Sequence, residues 1–238
     1  MSDVIAARPC VRIPVRGGGA FPVRRVYCVG RNFADHAREM GATVPAIGVS
    51  RGAPVFFLKP ADAVVPAGGA IPYPPGTADL HHEVELVVAL GADAAAGALQ
   101  RTDAQQLVYG YGVGLDLTRR DLQAAAKAKG LPWDTGKSFD ACAPVSELLP
   151  AAAVGDLGPR RLSLHVNGEL RQQAALAQMI WDVPDILCEL SQLYALRAGD
   201  LVFMGTPAGV GPLLPGDVFD ARLDDLLQLS GRITPAAE

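Results

Sequence analysis

No run of the 238-residue sequence is long and apolar enough to cross a bilayer, which argues against a membrane-spanning protein. The start, MSDVIAARPC, carries an acidic residue and no apolar stretch behind it, so it does not read as a secretory signal. There is no Lys/Arg cluster, and the net charge is −4, so nucleic acid is not an expected partner. The cysteines Cys10, Cys28, Cys142 and Cys188 are scattered, with no CxxC pair and no zinc spacing. They read as reduced thiols in a cytoplasmic protein. A GxGxxG fingerprint, a P-loop and internal repeats are all missing, and nothing alternates as a regular βαβα chain would. Half of the residues are nevertheless hydrophobic, enough for a substantial core.

What is present is a set of short strands punctuated by a few helices, so the expected class is mixed α/β and β-rich. Residues 1–24 read as a short N-terminal appendage around RGGGA, and 25–238 as the main domain. VYCV and PVFFLK read as strands, the second stopped by Pro60. GRNFADHAREMG reads as a short helix ending at Gly41, and 41–53 as a mobile Gly-rich loop. A short helix is expected after Thr102. TRRDLQAAAKAKG reads as a helix capped by Thr118 and ended by Gly130. Asn167-Gly168 signals a hairpin. WDVPDILCELSQLYALRAGD holds a further helix with Pro184 in its first turn and with Ile186, Leu187, Leu190, Leu193 and Tyr194 on its apolar face.

LHHEVELVV, residues 80–88, is the most informative stretch. It is an apolar strand, yet alternation sets Glu83 and Glu85 on one face. One reading is a half-exposed strand with a polar outer side. The other is a hard divalent cation, Mg²⁺ or Mn²⁺, neutralising both carboxylates. In LVYGYGVGLD the residues Gly110, Gly112, Gly114 and Asp116 share a face, which means either close packing or room for a ligand. Asp116 is the natural third ligand.

His36 and Glu39 are i and i+3 on their helix, the layout of a general base with an orienting carboxylate, or of an incidental surface pair. Arg120 and Gln123 repeat that spacing one turn beyond Asp116. Lys137 stands alone in WDTGKSFD, and GTPAGVG is a Gly-rich turn after a strand that could aim backbone N–H groups at a carboxylate.

In this order and spacing, VYCVGRNFADHAREMG, PVFFLKPADAVV, LHHEVELVVAL, GYGVGLDLTRRDLQ, GLPWDTGKSFD, VNGELRQ, MIW and GDLVFMGTPAGVGP resemble the fumarylacetoacetate hydrolase superfamily, over roughly 22–220. The resemblance is narrowest to its short acylpyruvate hydrolase branch, which includes fumarylpyruvate hydrolases. It implies a mixed β-roll with peripheral helices, a homodimer, and Mg²⁺ or Mn²⁺ held by Glu83, Glu85 and Asp116. It implies a His36–Glu39 dyad that activates water, Lys137 beside the metal, Arg120 and Gln123 near the oxo-acid end of the substrate, and Thr206 on its carboxylate. Gly136 stands where relatives often have Ala, and Met204 where Thr is common.

The implied reaction is metal-dependent cleavage of the carbon–carbon bond of an acylpyruvate, foremost fumarylpyruvate to fumarate and pyruvate, in aromatic (gentisate-type) breakdown. Arg31 is the expected partner of the fumaryl carboxylate. The same metal site would also serve oxaloacetate decarboxylation, or tautomerisation or isomerisation of a dienoate. A non-catalytic binding or scaffold protein with a structural metal is the alternative of another class.

Overall fold

The structure, a computed structural model, describes residues 3–39, 41, 51–95 and 97–236. Its organising layer is a sheet of eight strands. The order runs Val55–Lys59, Arg25–Gly30, Asp200–Phe203, Val84–Leu90, Val108–Leu115, Ala143–Val145 and Val64–Pro66, with Leu149–Pro150 also paired to Val108–Leu115. Pairing is mixed: Asp200–Phe203 is parallel to Arg25–Gly30 and antiparallel to Val84–Leu90. A second sheet of five strands, Glu169–Ala175, Arg161–Val166, Val218–Leu223, Leu227–Thr234 and Gly69–Pro72, lies across the main core from the first. This strand-rich, mixed α/β architecture is the class that the pattern of short strands implies, and it agrees with the β-roll that the resemblance implies.

Val84–Leu90 is buried along its whole length, because both of its faces are covered. Leu86 and Val88 pack with Leu164, Phe219 and Ala221 of the second sheet and with the helix Val183–Leu193. Val87 and Ala89 belong to a second cluster with Val26, Leu201, Phe203 and Val145. Ile13 and Phe21, from the N-terminal hairpin Arg12–Pro14 and Ala20–Pro22, pack into that same cluster. A half-exposed strand with a polar outer side is therefore not what residues 80–90 form.

The glycine face of Val108–Leu115 is filled by neighbours. A Cβ on Gly114 would stand 2.6 Å from Phe203 Cε1 and 2.8 Å from Val87 Cγ2. Close packing, not ligand room, explains these glycines.

The Asn167-Gly168 turn joins Arg161–Val166 to Glu169–Ala175, with φ of 52° and 83°, as a two-residue hairpin of this hand requires. Asp182 caps Val183–Leu193, accepting from Asp185 N at 2.9 Å. Ile186, Leu187 and Leu190 are buried as expected. Leu193 is exposed, and Tyr194 lies past the helix end against Tyr27. The helix after Asp116 spans Arg120–Ala128 and is not capped by Thr118. Thr118–Arg119 instead pairs as a short strand with Leu80–His82. The Thr118 side chain turns to the site described below, so it is unavailable to the helix end. The helix Ala34–Glu39 stops short of Gly41, and most of the expected loop, residues 42–50, lies outside the described residues.

Candidate active site

Sheet register assembles the carboxylates. Val84 pairs with Leu115 and Glu85 with Gly114, so Glu83 falls opposite Asp116, and Asp116 N donates to Glu83 O at 2.9 Å. Oxygens of Glu83, Glu85 and Asp116 all lie within 4.8 Å of one another. The residues are 5%, 2% and 0% exposed, so their charges must be met by partners.

Most of that compensation comes from three cations. Lys137 Nζ stands 2.8 Å from Glu83 Oε2, 2.6 Å from Asp116 Oδ2 and 2.8 Å from Thr118 Oγ1. Arg120 Nη2 donates to Glu83 Oε1 at 2.5 Å, while its Nη1 donates to Gln123 Oε1 at 2.7 Å. Lys59 Nζ sits 2.8 Å from Asp116 Oδ1 and donates to the carbonyls of Leu117 and Lys137. Burial pushes the Glu83 carboxyl up, but Lys137 and Arg120 outweigh it and hold the group below its ordinary range. Burial likewise opposes the charge on Lys59 and Lys137, and the carboxylates more than restore it.

Glu85 is different. Among the described residues no cation reaches it, and its hydrogen bond comes from Gly205 N at 2.6 Å. Burial, then Asp116 and Glu83, push its acid well above the ordinary range. Asp116 Oδ1 also accepts no aligned hydrogen bond, although Lys59 is close by. Both groups keep lone pairs in reserve, and every donor is a carboxylate oxygen, the chemistry a hard divalent cation prefers. The triad could bind such an ion.

The second cluster faces the same space. His36, on Ala34–Glu39, is 6% exposed, and its Nδ1 lies 3.0 Å from Glu39 Oε2. Gly209 N donates to the other oxygen of Glu39 at 3.1 Å. Asn32 pins the approach to this helix. Its side chain donates to Trp181 O and Met204 O and accepts from Trp181 N. One narrow cavity of about 30 Å³ is lined by Arg31, His36, Glu83, Glu85, Asp116, Arg120, Gln123, Lys137 and Thr206. Nine of the ten residues singled out in the sequence thus meet there, and Glu39 stands behind His36. A larger cavity of about 550 Å³, bordered by Arg51, Tyr111, Asp156 and Asp185, contains none of them. Volume alone would point there, but clustered ionisable groups with perturbed acidity mark the smaller space.

Several contributors were not singled out in the sequence. Lys59 ends the apolar run VFFLK, and a charge in a buried strand was a usable signal. Thr118 binds Lys137, although its position before the helix suggests a cap. Gln172 gave no signal: it reaches from the second sheet to His82 Nδ1, Val84 N, Thr206 Oγ1 and Pro207 O. Val29, Gly30, Phe57, Lys127 and Trp133 complete the lining.

Comparison with known proteins identifies the family and the fold. The family model described as fumarylacetoacetate (FAA) hydrolase C-terminal matches residues 25–234. The fold is similar to the crystal structure of fumarylpyruvate hydrolase from Pseudomonas aeruginosa in complex with Mn²⁺ and pyruvate. The TM-score is 0.91 and the identity 43%, with 98% of this chain and 100% of that one covered. In sequence, the chain is 41% identical to mitochondrial oxaloacetate tautomerase FAHD1 of Mus musculus, over 88% of this chain and 91% of the relative. It is 42% identical to oxaloacetate tautomerase YcgM of Escherichia coli, over 86% and 90%. With a family match running through both large sheets and relatives covered almost end to end, this chain belongs to the fumarylacetoacetate hydrolase family.

Proposed function

We propose that this chain is a metal-dependent hydrolase that cleaves the carbon–carbon bond of an acylpyruvate, with fumarylpyruvate giving fumarate and pyruvate as the leading case. The observation that carries the reading is the meeting, in one cavity, of the Glu83–Glu85–Asp116 triad with the His36–Glu39 pair. Glu83, Glu85 and Asp116 would hold Mg²⁺ or Mn²⁺, which supplies Lewis acidity to the oxo-acid head of the substrate. The Pseudomonas relative with Mn²⁺ and pyruvate supports this assignment.

The chain's own groups then have distinct tasks. Glu39 accepts from His36 Nδ1 and fixes the ring, leaving Nε2 to take a proton from water. That water attacks the carbonyl remote from the carboxylate. The bond to the methylene carbon breaks, and its electron pair leaves in the pyruvate enolate. Protonation of the enolate carbon completes pyruvate. All three N–H bonds of Lys137 are engaged by Glu83, Asp116 and Thr118, so it acts as a fixed positive charge beside the enolate. Arg120 and Gln123 orient the oxo-acid head. The Thr206 hydroxyl accepts from Gln172 and keeps its own proton for the substrate carboxylate. Arg31 serves the fumaryl carboxylate.

A second reading, oxaloacetate tautomerisation or decarboxylation, is favoured by the tautomerases of mouse and Escherichia coli and by a mitochondrial oxaloacetate decarboxylase of Dictyostelium discoideum. It needs the same enolate stabilisation. The deciding experiment follows loss of fumarylpyruvate absorbance with Mg²⁺ or Mn²⁺ and with EDTA, alongside enol–keto conversion and carbon dioxide release from oxaloacetate. EDTA-sensitive release of fumarate and pyruvate in equal amounts supports hydrolysis. Turnover confined to oxaloacetate moves the assignment to the second reading. A homodimer, a cytoplasmic location and a role in gentisate-type aromatic breakdown belong to the same proposal and rest on the family resemblance.

A further inference from the structure

The helix Arg120–Ala128 lays a stripe along the cavity. Arg120, Gln123 and Lys127 are i, i+3 and i+7, hence on one side, and all three line the space. The stripe begins at the carboxylates, where Arg120 meets Glu83. At a rise of 1.5 Å per residue, Lys127 lies about 10 Å further along the axis.

The cations at the two ends of that stripe differ. Lys59, Lys137 and Arg120 are each within ion-pair distance of Glu83 or Asp116. Lys127 and Arg31 line the cavity without a carboxylate partner among the described residues. Lys127 Nζ instead lies 4.9 Å from the centroid of Trp133, which holds its half-buried stem in place. Burial, then Arg120, Arg31 and Lys137, lower its basicity to about 8. Glu83 opposes this only in part, and a half-buried lysine that feels three cations against one more distant carboxylate is a place where a ligand's negative charge would be favoured.

We propose that Lys127, with Arg31 beside it, is the specificity-determining cation that receives the distal carboxylate of an extended 2-oxo diacid. The inference rests on the acylpyruvate reading and deepens it. An extended chain gains roughly 3.5 Å for every three bonds. The six bonds between the carboxyl carbons of fumarylpyruvate span about 7 Å, which a flexible lysine 10 Å along the helix meets. The three bonds of oxaloacetate span about half of that and leave its second carboxylate short. The subsite therefore selects for length as well as charge.

The test compares fumarylpyruvate with acetylpyruvate, which has the same oxo-acid head and no distal carboxylate, on Mn²⁺-loaded protein. Lys127→Met removes the charge and keeps the stem against Trp133, while Lys127→Arg restores the charge. The expected result is a fall of about tenfold or more in the fumarylpyruvate-to-acetylpyruvate ratio of kcat/KM for the Met variant, carried by KM and recovered in the Arg variant. An equal fall on both substrates, or none, overturns the subsite. If the wild-type protein cleaves neither compound, the hydrolytic reading fails by itself. The ratio is then taken from calorimetric Kd values of the two uncleaved compounds, and lack of a preference for the diacid that Lys127→Met abolishes overturns the subsite.

Discussion

The floor and the mouth of the cavity hold charge in opposite ways. On the floor, Glu83 and Asp116 face Lys59, Lys137 and Arg120 at ion-pair distance, and the protein itself satisfies most of what it has buried. At the mouth, Lys127 and Arg31 line the space with no carboxylate against them among the described residues. Compensated charge fixes geometry, because each group is located by several partners. Uncompensated charge stores affinity, because it is relieved only by what arrives. Glu85 carries the second behaviour into the floor: two residues from Glu83, it has an N–H donor but no cation.

The strongest way to break this contrast is to remove the uncompensated carboxylate. Glu85→Ala should lower Mn²⁺ affinity by about 10²-fold, the upper end of what even residues next to metal ligands cost when changed, and activity with it. Titration of the variant by Mn²⁺ paramagnetic resonance checks this, and wild-type affinity would remove Glu85 from the site. His36→Ala should leave Mn²⁺ binding in place but cut hydrolysis by about 10²- to 10⁴-fold, the usual share of a general base. Steady-state kinetics with parallel metal titration separates the two. An undiminished hydrolysis rate would count against the dyad.

The compensated side breaks through stability. Lys59 is 2% exposed, and Lys59→Met leaves Asp116 short of a buried partner, a loss of about 3–5 kcal/mol. Urea unfolding in EDTA measures it, and added Mn²⁺ should recover part of the loss. Gly136→Ala asks less of the fold. Its new Cβ would stand 2.9 Å from Gln123 N and 3.0 Å from Gln123 Cα, so the Arg120–Ala128 helix must shift. About 1–3 kcal/mol of stability should be lost, read as a lower Tm. An unchanged Tm would mean that the helix yields freely.

The smallest effect sharpens the mouth. Lys127 is charged below a pH of about 8 and neutral above it. Its pull on a carboxylate is therefore present at neutral pH and lost on the alkaline side. KM for fumarylpyruvate should rise several-fold from about pH 7 to about pH 9 in the wild type and much less in Lys127→Arg, whose guanidinium stays charged. Parallel curves for the two proteins would contradict this.

The floor was largely legible in the sequence, and the mouth only at Arg31. Glu83, Glu85 and Asp116 sit in apolar strands, where an acid is conspicuous, and His36–Glu39 is a contact within one helix turn. Arg120 and Gln123 follow the same local spacing. Gln172 could not be read, because 90 residues separate it from His82 and only the pairing of two sheets joins them. Thr118 carried a helix-cap signal that a short strand pairing overrode. Lys127 looks like any lysine on a solvated helix until Trp133 and the cavity are in place. The alternating glycines of GYGVGL fit close packing and open space equally well, and Phe203 and Val87 decide for packing.

One loop links the two chemistries directly. Gly205, at φ 89°, gives its N–H to Glu85, and four residues on Gly209 gives its own to Glu39. Thr206 lies between them on the cavity wall. A substitution that displaces this loop disturbs ligand and base together, so these two parts cannot drift apart one mutation at a time. The mouth is under no such bond. Lys127 and Arg31 lie outside the loop's grip and can change without uncoupling ligand from base. A lineage built on this frame would acquire new substrates from its rim inward.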